Sequence, residues 1–134
     1  MLRIEHIGIA VKDLSTSIPL FERLLNTSCY KREMVASEQV ETAFFKTGEN
    51  KIELLQAARE GGVIDRFILK KGEGIHHIAF EVEDILLEMD RLKNEGFILL
   101  DDTPKPGADN KIVCFLHPSS TNSILIELVM ESKK

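Results

Sequence analysis

The sequence predicts an α+β fold built from two tandem βαβββ modules, and three observations carry that prediction. The order strand, helix, three strands is read once in residues 1–58 and again in residues 75–134, with a connector over 59–74 between them. Two segments of the first half match two of the second in order and without internal gaps. The 134 residues fit one domain, or two half-size modules sharing a core, and leave no room for a third unit.

Residues 3–11, Arg-Ile-Glu-His-Ile-Gly-Ile-Ala-Val, are rich in β-branched side chains and read as the first strand. A helix to Leu25 follows, capped by Ser15 or Ser17, with Pro19 in or beside its first turn, where a missing N–H costs least. Its expected buried stripe is Ile18, Phe21, Leu24 and Leu25. Strands are expected near 28–35, 40–47 and 50–56, the last two joined through Gly48-Glu49-Asn50. In the connector, Val63, Ile64, Phe67 and Ile68 have the spacing of a short helix between two glycine clusters.

The second half opens with a strand over 75–82. Asp84 is placed to cap a helix with the stripe Ile85, Met89 and Leu92, and Asn94-Glu95-Gly96 ends it. Further strands are expected near 97–101, 110–116 and 123–130, with 103–107 as a loop.

Composition narrows the function. Hydrophobic residues make up 43% and charged residues 29%, as in ordinary globular domains. A net charge of −5, with no run of adjacent basic residues longer than a pair such as Lys70-Lys71 or Lys133-Lys134, argues against a nucleic-acid partner. The two cysteines, Cys29 and Cys114, have no metal-knuckle spacing, and a disulfide framework is not expected. Met1 runs directly into the first strand, so no leader is expected, and no apolar run reaches the length of about 18 residues that a membrane helix needs. A soluble, cytoplasmic protein without membrane association is the expectation.

The repeat can be followed residue by residue. Residues 5–14 align with residues 76–85, which sets His6 against His77, 71 positions on. Residues 51–55 align with 125–129, which sets Glu53 against Glu127, 74 positions on. Loop length absorbs the difference of three. A duplicated fold delivers matching residues to a pseudo-twofold axis, so two imidazoles and two carboxylates are expected at equivalent places. That donor set suits Zn, Co, Ni, Fe or Mn, and four protein ligands in an octahedral arrangement leave two adjacent positions for a bidentate oxygen ligand.

Each of these residues also has a plainer reading. A lone Glu such as Glu127, which interrupts the run Ile124-Leu125-Ile126 and Leu128-Val129, more often points outward from a half-buried strand. A lone strand His is more often a satisfied core or edge residue. Four independent coincidences at repeat-related positions are harder to accept than one metal site. His76 has the opposite strand parity to His77 and is expected to face away, and His117 before Pro118 reads as a loop or pocket-wall residue. Phe44, Phe45 and Phe115 read as core, and Cys114 as a small buried residue, not a nucleophile.

With these residues in place, the chain resembles the vicinal oxygen chelate (glyoxalase/bleomycin resistance/dioxygenase) superfamily over nearly its whole length. More narrowly, residues 6–11, 51–55, 74–80, 115–118 and 125–128 look like the methylmalonyl-CoA epimerase family within it. The resemblance implies a curved mixed sheet around the metal, and a homodimer. It implies a divalent ion, Co2+ first and Zn2+, Ni2+ or Mn2+ as alternatives, on His6, Glu53, His77 and Glu127. The implied reaction interconverts (2R)- and (2S)-methylmalonyl-CoA by loss and return of the α-proton, with Glu53 and Glu127 as acid and base. The acyl-CoA is then the small-molecule partner.

Some relatives carry Gln at the position of Glu53 and an extra acid on an earlier strand, where the alignment puts Thr42 beside Glu41. The rival readings are glyoxalase I, which uses the same ligand types on a glutathione hemithioacetal, and a non-catalytic small-ligand-binding protein on the same scaffold. A dioxygenase fits less well, because that chemistry wants two His and one carboxylate.

Overall fold

The computed structural model describes residues 1–132; the Lys133-Lys134 pair lies outside them. Among the described residues the order is β1 (Arg3–Ala10), α1 (Leu14–Leu25), β2 (Lys31–Val35), β3 (Val40–Thr47), β4 (Asn50–Ala57), α2 (Val63–Lys71), β5 (Gly74–Glu81), α3 (Ile85–Asn94), β6 (Lys105–Pro106), β7 (Lys111–Leu116) and β8 (Ile126–Glu131). The α+β class and the repeated strand-helix-three-strand order are therefore present. The chain divides into two compact units, His6–His76 and a second made of residues 77 onward with Met1–Glu5.

In the first unit the strand order is β2-β3-β4-β1. β1 runs parallel to β4, and β3 is antiparallel to both β4 and β2. Side chains alternate across a strand, so every second residue reaches the helix-covered face. Ala43, Phe45, Ile52 and Leu54 take that face and pack with Val11, Leu14, Ile18, Phe21 and Leu25.

α1 differs from expectation in its cap and its stripe. Asp13, not Ser15 or Ser17, is the N-cap, its carboxylate accepting from the Ser15 N–H at 3.0 Å and the Ser15 hydroxyl at 2.7 Å. A carboxylate is a strong acceptor for the orphan N–H groups of a first turn, which leaves Ser17 free to be buried. Pro19 then falls inside the helix, past the first turn, and removes one intrahelical bond. The stripe packed on the core is Leu14, which is buried, with the partly buried Ile18, Phe21 and Leu25, while Leu24 lies off it and is exposed.

The second unit has the order β5-β8-β7-β6, with β5 parallel to β8 and the other pairs antiparallel. Asp84 caps α3 as expected, accepting from the Leu87 N–H at 3.2 Å. Ile85, Met89 and Leu92 are all buried, packed with Cys114, Leu116 and Leu128. Each such side chain contributes about 1.5–3 kcal/mol relative to exposure.

The second strand of this half is not where it was expected. Residues 97–101 make a single bridge, Leu99 to Leu116, with isolated bonds from the Leu100 N–H to the Phe115 carbonyl and from the His117 N–H to the Ile98 carbonyl. Phe97 and Leu99 still pack on the α3 cluster. The edge strand shrinks instead to Lys105–Pro106, where Pro104 before it and Pro106 within it cannot donate to a ladder. Gly107 follows close against β7, where an added Cβ would sit 2.8 Å from Val113 Cγ1. β8 starts at Ile126 because Asn122 and Ser123 adopt positive φ and turn the chain first. In the first half β2 likewise starts late, at Lys31, with the Cys29 N–H tied to the Glu22 carboxylate at 2.9 Å.

α2 fills the connector as expected, with Ile64 buried and Val63 exposed. No helix of the described residues is long and apolar enough to cross a membrane.

Candidate functional site

Each unit places one His and one Glu together on the sheet face away from its helix. In the first unit the parallel pairing sets Gly8 opposite Glu53 and His6 opposite Lys51, so His6 stands diagonally across from Glu53. The His6 Nε2 lies 3.2 Å from Glu53 Oε1, with side-chain exposures of 8% and 5%. In the second unit Ala79 stands opposite Glu127, and His77 takes the diagonal place. The His77 Nε2 lies 3.1 Å from Glu127 Oε1, at 4% and 8% exposure. A carboxylate so deeply buried is costly unless charge or hydrogen bonds compensate it, so each pair must be justified by what it holds.

The neighbours explain why each carboxylate leans toward its imidazole. On one side of Glu53 is Gly8, and on the other, across β3, is Phe44. On one side of Glu127 is Ala79, and on the other, across β7, is Phe115. A small residue leaves room over the His-bearing strand, and a ring closes off the opposite direction. The Phe115 ring also stands edge-on to His77, centroids 5.9 Å apart at 87°. These four flanking residues were read from sequence as strand or core only. Their signal was present, since Gly8 to Ala79 and Phe44 to Phe115 are each separated by the same 71 residues as His6 and His77.

The remaining histidines serve elsewhere. His76 packs against Phe67 of α2, ring centroids 4.9 Å apart, as its parity required. His117 caps the 3-10 turn at Pro118–Ser120, its Nδ1 accepting from the Ser119 N–H at 3.0 Å. Thr42 is fully buried on the Glu53 face, opposite Leu55, and its hydroxyl donates to the Glu33 carbonyl at 3.2 Å. Glu41 has the other parity and pairs with Arg32 at 2.6 Å. Cys114 is buried in the α3 cluster, and desolvation pushes its thiol up to about 11. That is the environment of a packing residue, not a nucleophile.

A family model for the glyoxalase/bleomycin resistance protein/dioxygenase superfamily matches residues 5–115. The chain is 40% identical over 128 residues to the ethylmalonyl-CoA/methylmalonyl-CoA epimerase of Cereibacter sphaeroides, covering 94% of this chain and 96% of that one. It is 34% identical over 128 residues to an uncharacterized protein of Bacillus subtilis, covering 96% and 91%. Among solved structures, a Streptomyces coelicolor methylmalonyl-CoA epimerase variant in complex with 2-nitronate-propionyl-CoA superposes with a TM-score of 0.94. That match has 30% identity and covers 98% of each chain.

Proposed function

We propose that this chain, which belongs to the glyoxalase/bleomycin resistance protein/dioxygenase superfamily, is an epimerase that interconverts (2R)- and (2S)-methylmalonyl-CoA. The observation that carries the reading is the buried His–Glu pair found once in each unit, in the same diagonal register. Similarity to epimerases named for methylmalonyl-CoA supports the substrate.

His6, Glu53, His77 and Glu127 are the proposed ligands of one divalent ion, with Co2+ the expected metal. The donor chemistry fits, because two imidazole nitrogens and two carboxylates suit the borderline divalent ions, and carboxylates buried this deeply call for a positive partner. When bound, the ion supplies Lewis acidity that draws charge toward the thioester oxygen and acidifies the α-carbon.

The protein residues carry the proton. Epimerisation takes the α-proton from one face of the substrate and returns one to the other, so it needs two acid–base groups. Glu53 and Glu127, one from each half of a duplication, are the proposed pair. Each sits against an imidazole that holds its orientation, and Phe44 and Phe115 restrict its alternatives. Thr42 supplies no acid at the position where some relatives carry one, and Glu33 opposite it is engaged by Lys31. In the same reading the chain acts as a single domain, with modules over 1–58 and 75–134, as a cytoplasmic homodimer.

The test is proton NMR of methylmalonyl-CoA in D2O with cobalt-reconstituted protein. The methyl doublet is expected to collapse as the α-position exchanges, far faster than in the control without protein. Absence of exchange with metal demonstrably bound would overturn the epimerase reading in favour of a glutathione hemithioacetal substrate.

A further inference from the structure

The second unit brings together two side chains that its strand order keeps apart. His77 lies on β5 and Phe115 on β7, the two strands that flank β8, so about 10 Å of sheet separates their backbones. Their rings nonetheless meet, with centroids 5.9 Å apart and planes 87° apart. Both side chains therefore lean inward over β8, where Glu127 stands opposite Phe115 on one side and Ala79 on the other.

The Phe115 ring has supports of its own. It packs against the buried Ala79, Val113 and Val129, and the Lys105 Nζ lies 5.8 Å from its centre. The backbone beneath it is tied as well, since the Leu100 N–H donates to the Phe115 carbonyl at 2.9 Å.

The bond that carries an imidazole has only a broad, roughly two-fold preference, so packing must settle where the ring nitrogens point. Two things have to be fixed: the edge of the ring that faces forward, and the plane in which the ring lies. The His77 Nε2 lies 3.1 Å from Glu127 Oε1, so the carboxylate selects the nitrogen edge over the carbon edge. That single contact leaves the ring able to pivot about it. A perpendicular ring packed alongside, at a separation that aromatic pairs favour, stops the pivot.

We propose that Phe115 is a positioning residue: reaching across β8, its ring fixes the plane of the His77 imidazole, so that Nε2 stays aimed at Glu127 and at the ion the pair is read to hold. The inference rests on the metal reading above. One ring then constrains both proposed ligands of the second unit, the carboxylate beside it on β8 and the imidazole beyond it on β5.

Two measurements on the full chain test the role. Each compares the wild type with Phe115→Leu and Phe115→Ile, which keep an apolar side chain without a ring, and with Phe115→Tyr, which keeps the ring. The first is the proton–nitrogen NMR correlation spectrum of the imidazoles in the metal-free protein. His77 is expected to give one sharp set of signals in the wild type and in Phe115→Tyr. In the two aliphatic variants its signals should be shifted and broadened, with those of His76 unmoved. The second is calorimetric binding of Co2+. The aliphatic variants are expected to bind it at least about tenfold more weakly, the loss that follows when an outer contact of a metal-bound His is removed. The visible absorption of the bound cobalt should change with it, and Phe115→Tyr should match the wild type in both. A residue that served packing alone would lower Tm and move neither readout.

Wild-type His77 signals in both aliphatic variants, or Co2+ binding in them equal to that of the wild type, overturn the role and leave the metal reading standing. A wild type that takes up no Co2+, while His77 still loosens in the aliphatic variants, supports the role and sinks the metal reading alone.

Discussion

The two units hold the same His–Glu pair in the same register, but they surround it differently. In the first, Glu53 lies against Phe44, which is fully buried and braced by Tyr30, and three lysines share its face. In the second, Glu127 lies against Phe115, which is only partly buried and meets His77 edge-on, with the Lys105 Nζ 5.8 Å from its ring centre and 3.6 Å from Asp101. The inner positions of the duplication are preserved and the outer ones are not. Register explains this: residues beside the Glu are bound to face it, while a charge near a strand end, as Lys46 and Lys51 are, or on an edge strand, as Lys31 is, is less constrained by the packed neighbours and is free to diverge.

The comparison is broken most severely at the carboxylates. Glu127→Gln and Glu53→Gln are each expected to lower α-proton exchange by about 100-fold or more, the scale of a lost acid–base group, and to reduce bound metal measured by plasma emission. His76→Ala, on the opposite face, should leave metal content intact. If His76→Ala removes the metal and Glu127→Gln keeps it, the ligand assignment is wrong. If only one Gln variant loses exchange, the two halves are not equivalent in the chemistry.

The rings give the next largest effect. Phe44→Ala should cost about 3–5 kcal/mol in urea unfolding, as expected for a fully buried ring, and Phe115→Ala distinctly less. Equal losses would show that Phe115 is as firmly packed as Phe44.

The thiols separate the units without mutation. Cys114 in the second unit, with its pKa pushed up to about 11 by burial, should react with a disulfide reagent at pH 8 about 100-fold more slowly than an ordinary thiol. Cys29 in the first unit, only partly buried, should be modified first. Reaction of both at one rate would contradict the packing of the α3 cluster.

The smallest differences are at the helix caps. Asp84→Ala should cost about 1 kcal/mol. Asp13 carries a pH signature, because hydrogen bonds from the Ser15 hydroxyl and N–H hold its carboxyl below the usual 3.8. A folded-state value below the unfolded one means stabilisation that is complete above the unfolded pKa and lost as pH falls through the lowered value. Asp13→Asn should therefore flatten the acid limb of Tm against pH below about pH 4. An unchanged limb would remove Asp13 as its source.

Much of this architecture was legible in the residues alone. The matched offsets from His6 to His77 and from Glu53 to Glu127 made the repeat legible and set His76 apart from His77, because a repeat and a two-residue strand period can be read along the chain. The α3 stripe and its Asp84 cap were legible for the same local reason, a helical period and a short polar side chain at its start. Tertiary structure decided what local pattern cannot. Whether residues 97–101 complete a ladder depends on partner groups on β7, and the neighbours of each Glu are set by cross-strand register between segments distant in sequence. Lys46 facing Lys51 beside an exposed Tyr30 is likewise a product of register, since neither strand alone carries any sign of the charge its partner will bring.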